Sequence, residues 1–215
     1  MIQSATTTRT PHRSARPAAT APPIALAVPP GVRLQVSDDD FGALCTANRD
    51  LRLERTAQGD LIVMAPAGSE SGGRNAVLTG RLYIWAAADG AGVSFDSSAG
   101  FRLPNGATRA PDASWIRNDR WNALTPEQKR GFAPICPDFA VELCSPSDDR
   151  KLASEKMREY VDNGLRLGWL LDPDDGRVEI HRPGRPVEVL DRPATLSGED
   201  VLPGFTLDLK GILFD

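Results

Sequence analysis

The stretch FAVELC at 139–144 constrains the fold of this chain more than any other. With the period of two of an extended strand, Phe139, Val141 and Leu143 share one face, and Ala140, Glu142 and Cys144 share the other. Glu142 therefore projects from a strand whose opposite face is wholly apolar. A carboxylate in that position is costly to bury unless a partner compensates it. A second acid has a similar setting: Asp112 follows Pro111 and precedes the apolar segment 113–116. On the residues alone, two readings of Asp112 stand. Either it closes a turn ahead of a strand, or it shares a divalent cation with Glu142 on a neighbouring strand. Such a cation takes oxygen ligands and offsets the repulsion between the acids.

Around these two strands the pattern is mixed. Ser37 as N-cap, with Phe41, Leu44 and Cys45 at helical spacing, predicts a small helix at the domain edge. LRLERTAQGDLIVM at 51–64 alternates and turns at Gln58-Gly59-Asp60, a hairpin signal. Leu78, Leu82 and Trp85 predict a helix over 75–88, after the Gly/Ser segment 68–73. Short strands follow at 93–95, 101–103 and 113–116, then a short outer helix or loop at 121–131. A second long helix is expected over 151–163, stopping at Gly164, then a hairpin of 167–171 and 177–181 and a strand at 187–190. This order implies one α/β domain over 31–215, a mixed sheet with helices on its faces. Residues 1–30, rich in Pro, Ala, Thr and Arg, read as a disordered tail, and their prolines oppose the amphipathic helix of a transit peptide.

Composition excludes several classes. A chain of 215 residues with 40% hydrophobic content is long enough for a real core. None of its apolar runs approaches the ~18–20 residues of a membrane span. Cys45, Cys136 and Cys144 form an odd set without CxxC spacing, and His12 and His181 are the only imidazoles, which speaks against zinc and against a disulfide framework. A reducing cytoplasm fits such cysteines. The net charge of −4 argues against a basic coat for nucleic acid. Arg74, Arg81, Arg102, Arg109, Arg117 and Arg120 nevertheless lie in the segments around the two acids. Trp115, Trp169 and Phe205 read as core, Asp172 as the start of a turn, His181 as an exposed strand residue, and 145–149 as a strand end that caps the next helix.

Six segments, in order, carry a family resemblance: GDLIVMAP at 59–66, GSESGGRN at 68–75, RAPDASWI at 109–116, CPDFAVELCSPSDD at 136–149, EKMREYVDNGLRLGWLLDP at 155–173 and LPGFTLDL at 202–209. Together they make the chain resemble the Uma-two family of restriction-endonuclease-like proteins, within the PD-(D/E)XK nuclease superfamily. The resemblance implies a restriction-endonuclease-like mixed β-sheet flanked by helices. It also implies a Mg²⁺- or Mn²⁺-dependent endonuclease that hydrolyses phosphodiester bonds of DNA as a cytoplasmic homodimer. Asp112 and Glu142 become metal ligands and catalytic acids, with the backbone carbonyl of Leu143 as a further oxygen.

The superfamily's lysine, two residues after the second acid, is Cys144 here. Related families move that lysine onto the following helix. At 100° per residue, Lys156 falls inside the arc of Leu152, Ala153, Met157, Tyr160 and Val161, whereas Lys151 lies opposite with Glu155 and Arg158. Lys156 is therefore the candidate catalytic lysine, against the plainer reading of a side chain snorkelling from the edge of the stripe. Glu70 is the candidate auxiliary acid, against a role at a helix N-terminus, and Glu54 in the hairpin is its rival. Cys144 and the acidic net charge leave open a nuclease-fold binding module without catalysis. A two-carboxylate glycosidase, acting without metal, is a further alternative.

Overall fold

In the computed structural model, which describes residues 32–146 and 148–214, local signals account for most elements. The tail at 1–30 lies outside the described residues. Helix α1 (Asp38–Ala47) starts where the Ser37 hydroxyl accepts a bond from Asp40 N. Strands β1 (Arg52–Arg55) and β2 (Leu61–Met64) form the expected antiparallel hairpin. Its turn passes through Gly59 at φ 92°, a left-handed value that disfavours any residue with a Cβ. Helix α2 (Ser69–Asp89) begins earlier than the expected residue 75, so Gly72 and Gly73 lie inside it. Each weakens a helix by ~1 kcal/mol, a cost the later turns offset by burying Leu78, Leu82 and Ala86.

The chain continues through β3 (Gly92–Asp96), β4 (Phe101–Arg102), β5 (Thr108–Arg109), β6 (Ala113–Arg117), α3 (Asn118–Asn122), α4 (Pro126–Arg130) and β7 (Phe139–Leu143). Helix α5 (Arg150–Asp162) follows, then β8 (Leu167–Asp172), β9 (Arg177–His181), β10 (Glu188–Asp191), β11 (Thr195–Ser197) and β12 (Thr206–Asp208). The two-residue β5 and the β11–β12 pair went unread in the sequence, being too short to show a period. Residues Arg33–Asp215 form one compact unit.

Strands order as β10-β9-β8-β7-β6-β3 in the main sheet and β2-β1-β5-β4 in a smaller one. Only β7 and β8 run parallel, joined by α5 as the crossover; the other pairings of the main sheet are antiparallel. As the alternation of FAVELC requires, Phe139, Val141 and Leu143 pack with α2 and the C-terminal segment, in a core that includes Trp169 and Phe205. Ala140 and Cys144 face α5, in a second core with Met157 and Tyr160. Gly168 on β8 lets α5 lie close: a Cβ there would stand 2.4 Å from Met157 Cε.

Two expectations fail for related reasons. Leu152, placed by the wheel on the apolar arc, is 62% exposed, because the buried stripe of α5 centres on Met157 and Tyr160. His181, expected in solvent, is 2% exposed, with Nε2 3.1 Å from Glu179 Oε2. It pairs across the ladder with Gly168, on the side of the sheet where Met157 and Leu165 pack. Among the described residues no helix is long and apolar enough to cross a membrane.

Candidate active site

Pro111, lacking an N–H, ends the β6–β7 ladder, and the next residue departs from its register. Ala113 pairs with Val141, yet Asp112 N also donates to Val141 O, at 3.0 Å. This bulge-like step turns the Asp112 carboxylate along the strand edge, where Oδ2 accepts from Leu143 N at 2.8 Å in place of a backbone carbonyl. In a strand the carbonyl of a residue points to the same edge as its N–H, so the Leu143 oxygen faces the Asp112 side. Glu142 leaves β7 on the α5 face and is 9% exposed.

Helix α5 meets Glu142 with two side chains one turn apart. Lys156 Nζ lies 2.8 Å from Glu142 Oε1, and the Tyr160 hydroxyl donates to the same oxygen at 3.0 Å. Since both contacts fall on Oε1, Oε2 is the oxygen left for another partner. Lys156 Nζ also donates to Glu54 Oε1 at 2.8 Å, so one ammonium serves two carboxylates. Glu54, on β1 of the smaller sheet, is 2% exposed and further accepts from Ala110 N at 3.0 Å and Arg109 Nη1 at 3.2 Å. Arg109 is held in turn by Glu159 of α5, at 2.6 Å from Nε.

Of these acids Glu142 is the one that most readily keeps a proton. Burial pushes its carboxyl up and the charges of Asp112 and Glu54 add to that, against the pull of Lys156, so its pKa rises from 4.5 to about 7. Burial opposes the charge of Glu54 too, but Lys156 and Arg109 outweigh it and hold its pKa below the ordinary value. Lys156 is desolvated, and Glu142 and Glu54 more than compensate, keeping its pKa above that of a free lysine. Burial, with the two glutamates, raises Tyr160 well above its usual value, so it remains a phenol able to donate. Burial also pushes the Cys144 thiol to about 12, so the residue at the customary lysine position is neutral.

Asp112, Glu142 and Lys156 thus converge, and the neighbouring acid is Glu54. Glu70 sits 79% exposed in the first turn of α2, paired with Arg74 at 2.6 Å. The arginines near the acids in sequence mostly knit the scaffold. Arg74 and Arg81 bind C-terminal carbonyls, and Arg102, Arg117 and Arg120 pair with Asp38, Asp119 and Asp138. Only Arg109 of that set joins the cluster. Arg52 joins it as well, with Nη1 3.1 Å from Asp112 Oδ1. The alternation of RLER already puts Arg52 and Glu54 on one face, but a strand so charged reads as solvent-facing, and nothing local tells that Lys156 of α5 reaches it.

Among the described residues, no group of three or more His, Cys, Asp and Glu side chains is gathered to hold a metal ion by itself. The cluster fits a different mode, in which two carboxylates and a carbonyl bind Mg²⁺ and water or phosphate completes its shell. Asp112, Glu142 Oε2 and the Leu143 carbonyl are hard oxygens of that kind.

The profile of the Uma2 family, described as "Putative restriction endonuclease", matches residues 38–210. The chain belongs to the Uma-two family. Among solved structures it is similar to "a putative nuclease belonging to DUF820" from Anabaena variabilis ATCC 29413, with a TM-score of 0.63 and 19% sequence identity, over 75% of this chain and 89% of that one. At that identity the likeness bears on the fold, which is the mixed, helix-flanked sheet expected of the family. A comparison with curated proteins found no match. The description of the family suggests hydrolysis of phosphodiester bonds.

Proposed function

We propose that this protein is a divalent-metal-dependent endonuclease that cleaves DNA, working in the cytoplasm as a homodimer. The observation that carries the reading is the buried cluster in which Lys156 reaches Glu142 and Glu54 beside Asp112. Asp112, Glu142 and the Leu143 carbonyl would hold Mg²⁺ or Mn²⁺. When bound, that ion supplies Lewis-acid polarisation of the phosphoryl group and a more acidic water. Lys156, charged and 15% exposed, orients the attacking water and offsets the negative charge that builds on the phosphoryl oxygens. Glu54, rather than Glu70, acts as the auxiliary acid by fixing the ammonium, and Arg109 fixes Glu54. Tyr160 holds the Glu142 carboxylate in one orientation through its hydrogen bond.

The inactive-module alternative rests on Cys144 and on the acidic net charge of −4. Lys156 speaks to the first of these, because α5 delivers to Glu142 the charge that a neutral thiol lacks. The test is incubation of supercoiled, linear and single-stranded DNA with the protein and Mg²⁺ or Mn²⁺, beside Glu142→Gln. Cleavage that needs both the ion and Glu142 supports the reading; metal binding without cleavage of any substrate selects the binding module. Sedimentation velocity tests the homodimer.

A further inference from the structure

Arg52 is the most exposed member of the cluster, and its bonds are incomplete. The side chain is 33% exposed, against 16% for Asp112 and 15% for Lys156. Nη1 donates to Asp112 Oδ1 at 3.1 Å and Nη2 to the Ala110 carbonyl at 2.7 Å. Nε, by contrast, is buried with no hydrogen-bond partner among the described residues. Asp112 is therefore engaged at both oxygens, Oδ1 by Arg52 and Oδ2 by Leu143 N. A carboxylate so held offers a divalent cation less than its full charge. The guanidinium itself is a weakly hydrated planar fork suited to bidentate contact with phosphate. It stands at the rim beside the acids, where a phosphodiester would have to approach.

We propose that Arg52 exchanges partners: it neutralises and orients Asp112 in the cation-free protein, yields that oxygen to the divalent cation, and turns its fork to an anionic oxygen of the bound phosphodiester. This rests on the metal-dependent nuclease reading above. Arg52 is in this sense a competitor of the metal and a ligand of the substrate, so its removal should move the two affinities in opposite directions. A residue that merely braced the Ala110–Asp112 loop would lose on both.

The experiment is calorimetric titration of Mn²⁺ into wild type, Arg52→Gln and Arg52→Lys, with the KM for plasmid DNA measured at saturating Mn²⁺. Arg52→Gln should bind Mn²⁺ roughly threefold to tenfold more tightly, the scale of removing one partly screened competing charge. Its KM for DNA should rise by about tenfold. Arg52→Lys, with a charge but no fork, should fall between wild type and Arg52→Gln in both measurements. Arg52→Gln that binds Mn²⁺ no more tightly than wild type overturns the exchange, and an unchanged KM overturns its phosphate half. Should Arg52→Gln not fold, wild-type values of both constants in Arg52→Lys overturn the proposal. A wild-type protein that cleaves DNA without binding Mn²⁺ removes the metal reading, and the exchange with it.

Discussion

Replacing Glu142 by Gln should stabilise the metal-free protein, by an amount that grows as pH rises from about 4.5 to about 7 and is constant above that. Glu142 is buried beside Asp112 and Glu54, and its pKa in the folded protein is about 7 rather than 4.5. A raised carboxyl binds its proton more tightly in the folded state than in the unfolded one. Its contribution to stability is therefore complete below pH ~4.5 and is lost as pH rises through about 7. Converted at ~1.4 kcal/mol per tenfold, the loss is about 3 kcal/mol. Gln has the shape of the protonated acid, can still accept from Tyr160, and leaves Lys156 its bond to Glu54. Every other titrating group is common to both proteins and largely cancels in their difference. Urea unfolding at about pH 4 should give similar free energies, whereas at pH 8 Glu142→Gln should exceed wild type by up to about 3 kcal/mol. Mn²⁺ at pH 8 should close that gap by binding folded wild type. A gap that ignores pH, or widens toward acid, refutes the raised pKa of Glu142.

Asp112→Asn and Glu142→Gln should each abolish calorimetric Mn²⁺ binding and DNA cleavage while keeping the native circular dichroism spectrum; unchanged affinity removes both residues from the metal set. Lys156→Met should lower the single-turnover rate at saturating Mg²⁺ by roughly 10²-fold, the scale for one preorganised charge, with Mn²⁺ affinity retained. Lys151→Met should stay near wild type, since Lys151 is 83% exposed and pairs with Glu155 at 3.9 Å; loss of rate there instead would put the functional lysine on the opposite face of α5. Cys144→Lys should restore part of the rate to Lys156→Met. Gly168→Ala should cost ~1–3 kcal/mol in a urea midpoint measurement by pushing Met157 and Leu165, and α5 with them, off the sheet; an unaltered midpoint would show that Met157 swings aside freely.

What the sequence determined by itself is whatever short-range pattern carries. FAVELC established β7, which face of it Glu142 leaves and which face is core, because side-chain alternation is a property of one strand. The hairpin at Gly59, the cap at Ser37 and the extent of α5 follow from local signals of the same kind. The helical period of α5 also separated Lys156 from Lys151. Tertiary structure decided which charges meet. Glu54 and Lys156 are 102 positions apart, and Arg52 and Asp112 are 60 apart. They meet because β1 of the smaller sheet brings Arg52 toward Asp112 and Glu54 within reach of Lys156, and no local pattern distinguishes a charged strand bound for solvent from one bound for a buried ion cluster. The same holds for His181, which is buried where β9 pairs with β8. Periodicity fixes the direction in which a side chain leaves its own element; the partner it finds there, and so its pKa, belongs to the packing of elements distant in the chain.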